Sequence, residues 1–383
     1  MNRYDYIIAG CGAAGLQLAL AMSEDSFFRN KRILLLDADS KQANDRTWCW
    51  WEKGSGRWDH LITKSWKRAD FMSVTFEKTI DLGDYSYNML RSADFYAYAK
   101  EKLGQCSWIE WRHESVMEIE EQSACAVVVT DQASYEATAV FNSIADLKAE
   151  ASSSTHPWIH QHFVGWFIRT NEPVFDDSRF TMMDFRIAQH NNTRFMYVLP
   201  TSAHEALFEY TLFSGNLLSR SEYETGIREY LEKAGILEYE IVEQEAGIIP
   251  MTTHPFHQKN SQHVLHIGSA GGWTKASTGY TFYLAGKRVA QLCEHLKKGK
   301  SLRTFHAKTR FAFYDAVMLD LLVRRNDVGA AFFTSVYRYN PIDRVFRFLN
   351  EESRFIEELQ IVRRSTPRKE LIRSVGRAVF GEF

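Results

Sequence analysis

Cysteine is scarce in this chain, long apolar runs are missing, and neither sign of charge dominates. The five Cys, at positions 11, 49, 106, 125 and 293, show neither pairing nor metal-ligand spacing. That excludes a disulfide scaffold and a thiolate metal centre, and it fits a reducing compartment. The thirteen His show no metal spacing either. His160 and His162 alternate on a strand-like stretch and suit hydrogen bonding, so no metal is expected. No run reaches the ~18–20 apolar residues of a membrane-spanning helix. Residues 6–23 lack charge and mimic a signal peptide, but their glycine spacing and the strand after them explain them better. A net charge of −2 gives no case for nucleic acid. No internal repeat is present.

What is there is bulk and aromatic surface. A chain of 383 residues, 45% apolar, can bury a large core and hold two domains. Aromatic residues make up 14%, ten of them Trp. Such a supply serves a core built on large rings or a pocket for a bulky, π-rich ligand. Composition alone does not place the rings.

The first fifteen residues organise the rest. Tyr4 to Ala9 reads as a short buried strand, Gly10-Cys11-Gly12-Ala13-Ala14-Gly15 follows at once, and Leu16 to Met22 reads as a helix. This is G-x-G-x-x-G in its strand–turn–helix setting. Gly10 permits the tight turn, Gly12 lets the backbone approach a pyrophosphate, and Gly15 lets the helix pack close on the strand. Ala13 and Ala14 open the helix, whose free N–H groups and positive dipole end suit phosphates. A second strand, Lys31 to Leu36, ends at Asp37, 22 residues after Gly15. An acid there accepts from a ribose hydroxyl and disfavours a 2′-phosphate. The fingerprint fits FAD or a nicotinamide dinucleotide, NADP excepted.

Further along, Asp45-Arg46-Thr47-Trp48-Cys49-Trp50-Trp51 places three Trp within four residues. Ala139 to Ser143 reads as a strand returning to the nucleotide domain. Ala151 to Thr155 reads as a linker. The next hundred residues are mostly strands, interrupted by a helix with a capping box over Ser221 to Glu224. His263 to Gly268 is again a buried strand, and a helix runs from about Tyr280 to His295. The fold class is α/β. A discontinuous Rossmann-type domain covers 1–150 and 260–300, a sheet-rich substrate domain covers 151–259 with parts of 50–90, and 301–383 is a helical, basic C-terminal region. From Ser301 onward there are 15 Lys and Arg against 10 Asp and Glu, a local net of +5.

Several blocks together resemble the bacterial lycopene β-cyclases, flavoproteins of carotenoid biosynthesis. They are the glycine fingerprint, Asp45 to Trp50, Gln161 to Trp166, Met183-Asp184-Phe185, Tyr197 to Pro200, Leu207 to Thr211, Gly247 to Met251 and Gly268-Ser269-Ala270-Gly271-Gly272. They run in the family's order over about residues 4–285. The resemblance implies an aromatic hydroxylase-like flavoprotein fold. It implies FAD, used in its reduced form without net redox change, held by the glycine fingerprint, Asp37, Gly268, Ser269 and Gly279. It implies closure of the ψ-ends of lycopene into β-ionone rings, giving γ-carotene and then β-carotene. In the family's acidic motif the first acid acts in proton transfer, which is Glu209 here. The second acid is replaced by Tyr210, which puts a two-carboxylate mechanism in doubt. Flavin hydroxylases carry Gly-Asp where Gly268-Ser269 stands, and their mid-chain Asp-Gly motif has no clear match. An external reductant, NAD(P)H among the candidates, need not bind tightly.

The chemistry needs an acid, a base, a dry cavity and tolerance of a tertiary cation. A carboxyl near pKa ~4 is a poor acid toward an alkene unless the cation is stabilised as it forms. Aromatic faces contribute ~0.5–2 kcal/mol each. A reduced, anionic flavin near the helix that starts at Gly279 contributes more. Alternation puts Leu207, Glu209 and Thr211 on one strand face and Phe208, Tyr210 and Leu212 on the other. From spacing alone Glu209 suits an ion-paired sheet surface; with the family pattern it suits a proton-holding acid in a cavity. Asp184 and Glu245 are second candidates. Trp48, Trp50, Trp166 and Tyr210 are candidate cavity walls, with core packing as the other reading for the tryptophans.

The tail interleaves apolar and basic residues at helical spacing. It suits a helix lying in the membrane interface, or helices packed on the body with Arg outward. The first reading gives a cytoplasmic protein held peripherally on the inner face of the membrane, where lycopene and other carotenoid-pathway enzymes reside. Two further readings share the fold: an FAD-dependent monooxygenase or polyprenyl reductase, and a non-catalytic carotenoid- or membrane-binding flavoprotein.

Overall fold

A computed structural model describes residues 2–306 and 309–380. Its first sheet has seven strands. The order is β8 (Ile109–His113), β2 (Ile33–Asp37), β1 (Asn2–Ala9), β11 (Ser134–Asn142), β10 (Ala126–Thr130) and β9 (Val116–Glu121), with β17 (Val264–His266) also paired to β11. Strands β8, β2, β1, β11 and β17 run parallel, while β9 and β10 form an antiparallel flap. Ile33 to Leu36 are fully buried, the unbroken apolar run of a parallel strand covered on both faces. Helices α1 (Ala13–Glu24), α2 (Ser92–Gly104) and α5 (Phe282–Lys297) share one core beside this sheet. Gln17 of α1 donates to the Phe282 carbonyl at 3.0 Å, joining the two ends of the discontinuous domain.

The second sheet also has seven strands. They are β16 (Glu240–Thr252), β12 (Trp158–Arg169), β15 (Glu205–Ser214), β14 (Thr193–Pro200), β13 (Phe180–Asp184), β5 (Arg68–Ser73) and β6 (Phe76–Asp81), in that order. A third sheet, β3 (Thr47–Lys53), β7 (Tyr85–Arg91) and β4 (Lys64–Trp66), is interleaved in sequence with β5 and β6 of the second. Two local expectations shift. The segment read as a linker is the end of α3 (Leu147–Ser153), because Asp146 accepts from the Ala149 N–H at 3.0 Å and caps a helix there. The capping box lies two residues earlier than Ser221. The Ser219 N–H donates to Glu222 at 2.8 Å and α4 (Arg220–Lys233) starts behind it.

Helix α4 covers one face of the second sheet through Tyr223, Ile227 and Leu231. The other face meets the C-terminal helices α6 (Phe311–Arg324), α7 (Gly329–Tyr339) and α8 (Ile342–Leu349), with α9 (Phe355–Arg364) packed on α7 and α8 and α10 (Arg368–Phe380) packed on α6. The reading of the tail as a helix lying free in a membrane interface therefore gives way to packing on the body. Val345 and Phe346 of α8 are buried, and the Phe346 ring stacks on Trp51 at 4.7 Å between centroids. A buried ion cluster pins this region to the loop before α5. Lys275 reaches Asp315 at 2.8 Å and Glu351 at 3.2 Å, and Arg288 reaches Glu351 at 3.4 Å.

Candidate active site

One cavity of about 970 Å³ runs from the glycine fingerprint, past the second sheet, to the C-terminal helices. At its nucleotide end two of the three fingerprint glycines have a steric reason. Gly10 has φ +91°, a conformation side chains avoid. A Cβ on Gly15 would stand 2.1 Å from the Gly10 carbonyl oxygen. Gly12 has nothing within 4 Å of its Cβ position, so the N-terminus of α1 is open to a ligand. Gly12, Ala13 and Ala14 line the cavity there, beside Lys41 and Arg46, two cations the glycine pattern could not reveal. Asp37 has three neighbours, one of them Lys41 at 3.5 Å from its Oδ1. It accepts from the Cys11 N–H at 2.5 Å and the Asp39 N–H at 2.7 Å, leaving lone pairs for a hydroxyl.

Gly268, Ser269 and Gly279 line the same cavity further in, where α5 begins. Two buried polar atoms there, Gln161 Oε1 and Ser277 Oγ, have no hydrogen-bond partner among the described residues. Buried polar atoms are nearly always satisfied. An open helix N-terminus, a ribose-competent carboxylate and two unsatisfied polar atoms at the inner end are what a bound flavin dinucleotide would use. The residues present fit the group.

The acid site is built by sheet register. Gly165 on β12 pairs with Glu209 on β15 and with Glu245 on β16. The two carboxylates therefore flank a residue with no side chain, and a Cβ on Gly165 would meet their Cγ atoms at 3.0 and 3.1 Å. Tyr197 on β14 pairs with Glu209 and extends the row. Leu207, Glu209 and Thr211 face the cavity, and Phe208, Tyr210 and Leu212 face α4. Burial holds the Glu209 carboxyl well above its ordinary range, and the Glu245 charge and the hydrogen bond shared with Glu245 push it further up. Glu245 Oε2 accepts from Thr47 at 2.7 Å, and Thr47 accepts from Arg91 at 3.2 Å. Glu245 Oε1 has no partner among the donors described. The buried Glu209 carboxyl and the half-buried Glu245 carboxyl lie side by side, facing an apolar space.

Other expected residues lie elsewhere. Asp184 is fully buried outside the cavity, gripped by Arg186 at 2.8 Å and by Tyr230 at 2.9 Å. It is a structural partner, not an acid of this site. Trp166 points to the α4 side, where Arg228 lies 5.1 Å from its ring centroid. Tyr210 faces the same way and accepts from Arg194 at 3.1 Å. Trp50 packs in the nucleotide-domain core and donates to Glu52 at 3.0 Å. Only Trp48 of the four wall candidates lines the cavity, near-parallel to Phe282 with ring centroids 5.0 Å apart. Trp51, Tyr87, Tyr197 and Tyr280 line it too and were not singled out. Among the described residues no group of three His, Cys, Asp or Glu converges as a metal site.

A dinucleotide-binding sheet, a second sheet above it and one cavity joining both define the flavoprotein class of the aromatic hydroxylase type. Solved structures with this architecture include a geranylgeranyl bacteriochlorophyll reductase-like protein of Thermoplasma acidophilum, with TM-score 0.61 and 11% identity over 99% of this chain and all of that one. A flavin-dependent brominase, Bmp2, has TM-score 0.58 and 12% identity over 98% and 94%. Within that class, the family model described as lycopene cyclase protein matches residues 5–374, and the chain belongs to that family. It is similar to a lycopene beta-cyclase of Pantoea ananas, 26% identical over 81% of this chain and 78% of that protein. One of Pseudescherichia vulneris is 24% identical over 73% and 71%.

Proposed function

We propose that the chain is a lycopene β-cyclase that closes ψ-ends into β-ionone rings without net redox change. The observation that carries this reading is the Glu209–Glu245 pair, flanking Gly165 and aimed into an apolar cavity continuous with a dinucleotide site. Glu209 holds its proton because burial and Glu245 disfavour the anion. It gives that proton to C2 of the substrate, the C5=C6 bond attacks C1, and C6 then loses a proton. Having given up its proton, the pair carries additional negative charge beside the cation and favours it electrostatically. Gly165 leaves room for both carboxylates, and Thr47 orients Glu245. Trp48, Trp51 and Tyr87 present ring surface around the same space. When bound, reduced FAD supplies a negative charge that further favours the cation. The fingerprint, Asp37, Gly268, Ser269 and Gly279 would hold it.

The test is anaerobic incubation with lycopene liposomes, with and without dithionite. Products of unchanged mass, first γ-carotene and then β-carotene, are expected only under reduction, and reduction should restore full activity to the oxidised enzyme. A change in product mass would point to the reductase or monooxygenase chemistry of the fold.

We also propose that the protein takes lycopene from the inner leaflet of a membrane. No described helix is long and apolar enough to cross one. The outer end of the cavity is lined by Phe313, Phe355, Leu359 and Val362, all exposed, with Phe355 59% exposed. Arg363 and Arg364 at the end of α9 and Arg354 just before its start flank them. Deleting the tail would strip Val345 and Phe346 from the core, so point changes are the better test. Phe355→Ser with Leu359→Ser should lower binding to anionic vesicles while leaving FAD content unchanged. Binding should also fall with salt. Vesicle binding equal to that of the parent would remove this part of the proposal.

A further inference from the structure

Three tyrosines run from the strand position opposite Glu209 to the residue that follows Gly279. Tyr197 stands opposite Glu209 in the β14–β15 register, on the same sheet face. Directly opposed residues have Cβ atoms ~4.5–5.5 Å apart. The Tyr197 hydroxyl is 2.6 Å from that of Tyr87, and the Tyr87 hydroxyl is 2.6 Å from that of Tyr280. Tyr280 follows Gly279, at the end of the cavity where the unsatisfied Gln161 and Ser277 atoms lie. All three tyrosines border the cavity.

Hydrogen counting gives this chain a direction. Three hydroxyls carry three protons, and the two links between them use two. The third can be donated at one end, from Tyr197, which also borders the Cys49 thiol, or from Tyr280. If Tyr87 turns its own proton from one neighbour to the other, the whole chain reverses and the free donor moves to the opposite end. Burial pushes all three phenols upward, so they stay protonated and hand protons on in concert without ionising. Such chains also polarise one another.

We propose that Tyr197, Tyr87 and Tyr280 form a proton relay that recharges the Glu209–Glu245 pair between rings. The inference rests on the cyclase reading. The step moves one proton and no electrons. A water at the Tyr280 end gives a proton to the Tyr280 oxygen, Tyr280 passes its own to Tyr87, Tyr87 passes its own to Tyr197, and Tyr197 gives its own to the carboxylate. The proton that breaks from C6, leaving its electron pair in the new C5=C6 bond, goes to water at the same end and closes the balance. Each ring then carries a solvent-derived hydrogen at C2.

The test is Tyr87→Phe in the FAD-loaded enzyme, assayed in deuterated buffer. The change keeps the ring, which stacks on Phe180 at 4.2 Å, and removes the oxygen that makes both links. FAD affinity, read by flavin fluorescence, should stay within twofold. Turnover should fall at least tenfold, and deuterium at C2 should drop from one per ring to under half, because the pair is then reloaded by the proton from C6. Tyr197→Phe should behave alike, and the double variant should be no worse than either single one, as expected of groups acting as a unit. One deuteron per ring from Tyr87→Phe at parental turnover would overturn the relay. So would rings formed without deuterium by the parent enzyme, which leaves the cyclase reading standing. A parent enzyme that forms no ring under reduction overturns that reading first.

Discussion

Glu209→Gln should retain FAD and lycopene binding while losing at least the ~10²–10⁴-fold in turnover expected of one acid–base group. Gln keeps the size and hydrogen bonding of the side chain and removes only the titrating proton. The pH dependence follows from the raised carboxyl. The proton-donating form is present below the raised value and is lost as pH rises through it, so parental turnover should fall on the alkaline side. Stability follows the same sign. An acid with a folded-state value above its unfolded one supports the fold at low pH, and that support fades as pH climbs through the folded value. Glu209→Gln should therefore match or exceed the parent in alkaline thermal stability, while the ordering narrows or reverses in acid. In deuterated buffer the parent should place one deuteron at C2 for each ring. Active Glu209→Gln would move the acid to Glu245.

The second large effect is on stability. Lys275→Met should cost about 3–5 kcal/mol, the usual loss when one member of a buried ion pair is removed. Lys275 is 3% exposed and faces two carboxylates, Asp315 and Glu351. Without it, buried Asp315 has no cation beside it. Burial already pushes the Asp315 carboxyl upward despite Lys275, so the variant should recover part of its loss in acid, where Asp315 takes a proton. Chemical denaturation at pH 8 and pH 5 checks both points. Equal midpoints for variant and parent at pH 8 would show that the cluster contributes nothing net.

Much of the fold was legible because it is encoded locally. The glycine fingerprint, the terminal Asp37 and the returning strands at 139–143 and 263–268 announce a dinucleotide sheet by spacing alone. Alternation along Leu207 to Leu212 put Glu209 on the correct face. Alternation is less informative along β3, where Thr47, Cys49 and Trp51 reach the cavity and Trp50 fills the nucleotide core, but Trp48, of the same parity as Trp50, lines the cavity too. The second carboxylate was harder to read. The replacement of a neighbouring acid by Tyr210 argued against a pair, yet Glu245 comes from a strand two positions away in the sheet, across Gly165. Register between strands over thirty residues apart has no local signature. The tail was ambiguous for a related reason. A basic amphipathic helix has the same pattern whether its apolar face meets lipid or protein, and here Val345 and Phe346 meet Trp51 and the core.

The hydrogen bond from Gln17 to Phe282 spans 265 positions of sequence. Helix α1 is synthesised long before the helix it packs against. At the ~5–20 residues per second of synthesis, that partner arrives roughly 10–50 s afterwards. Throughout that interval the first parallel strands have their apolar faces only partly covered, and the flavin has half a site. Cofactor capture is thus expected only after the segment around Phe282 has emerged. A nascent chain halted before residue 263 should neither retain flavin nor stay in solution without a holding chaperone.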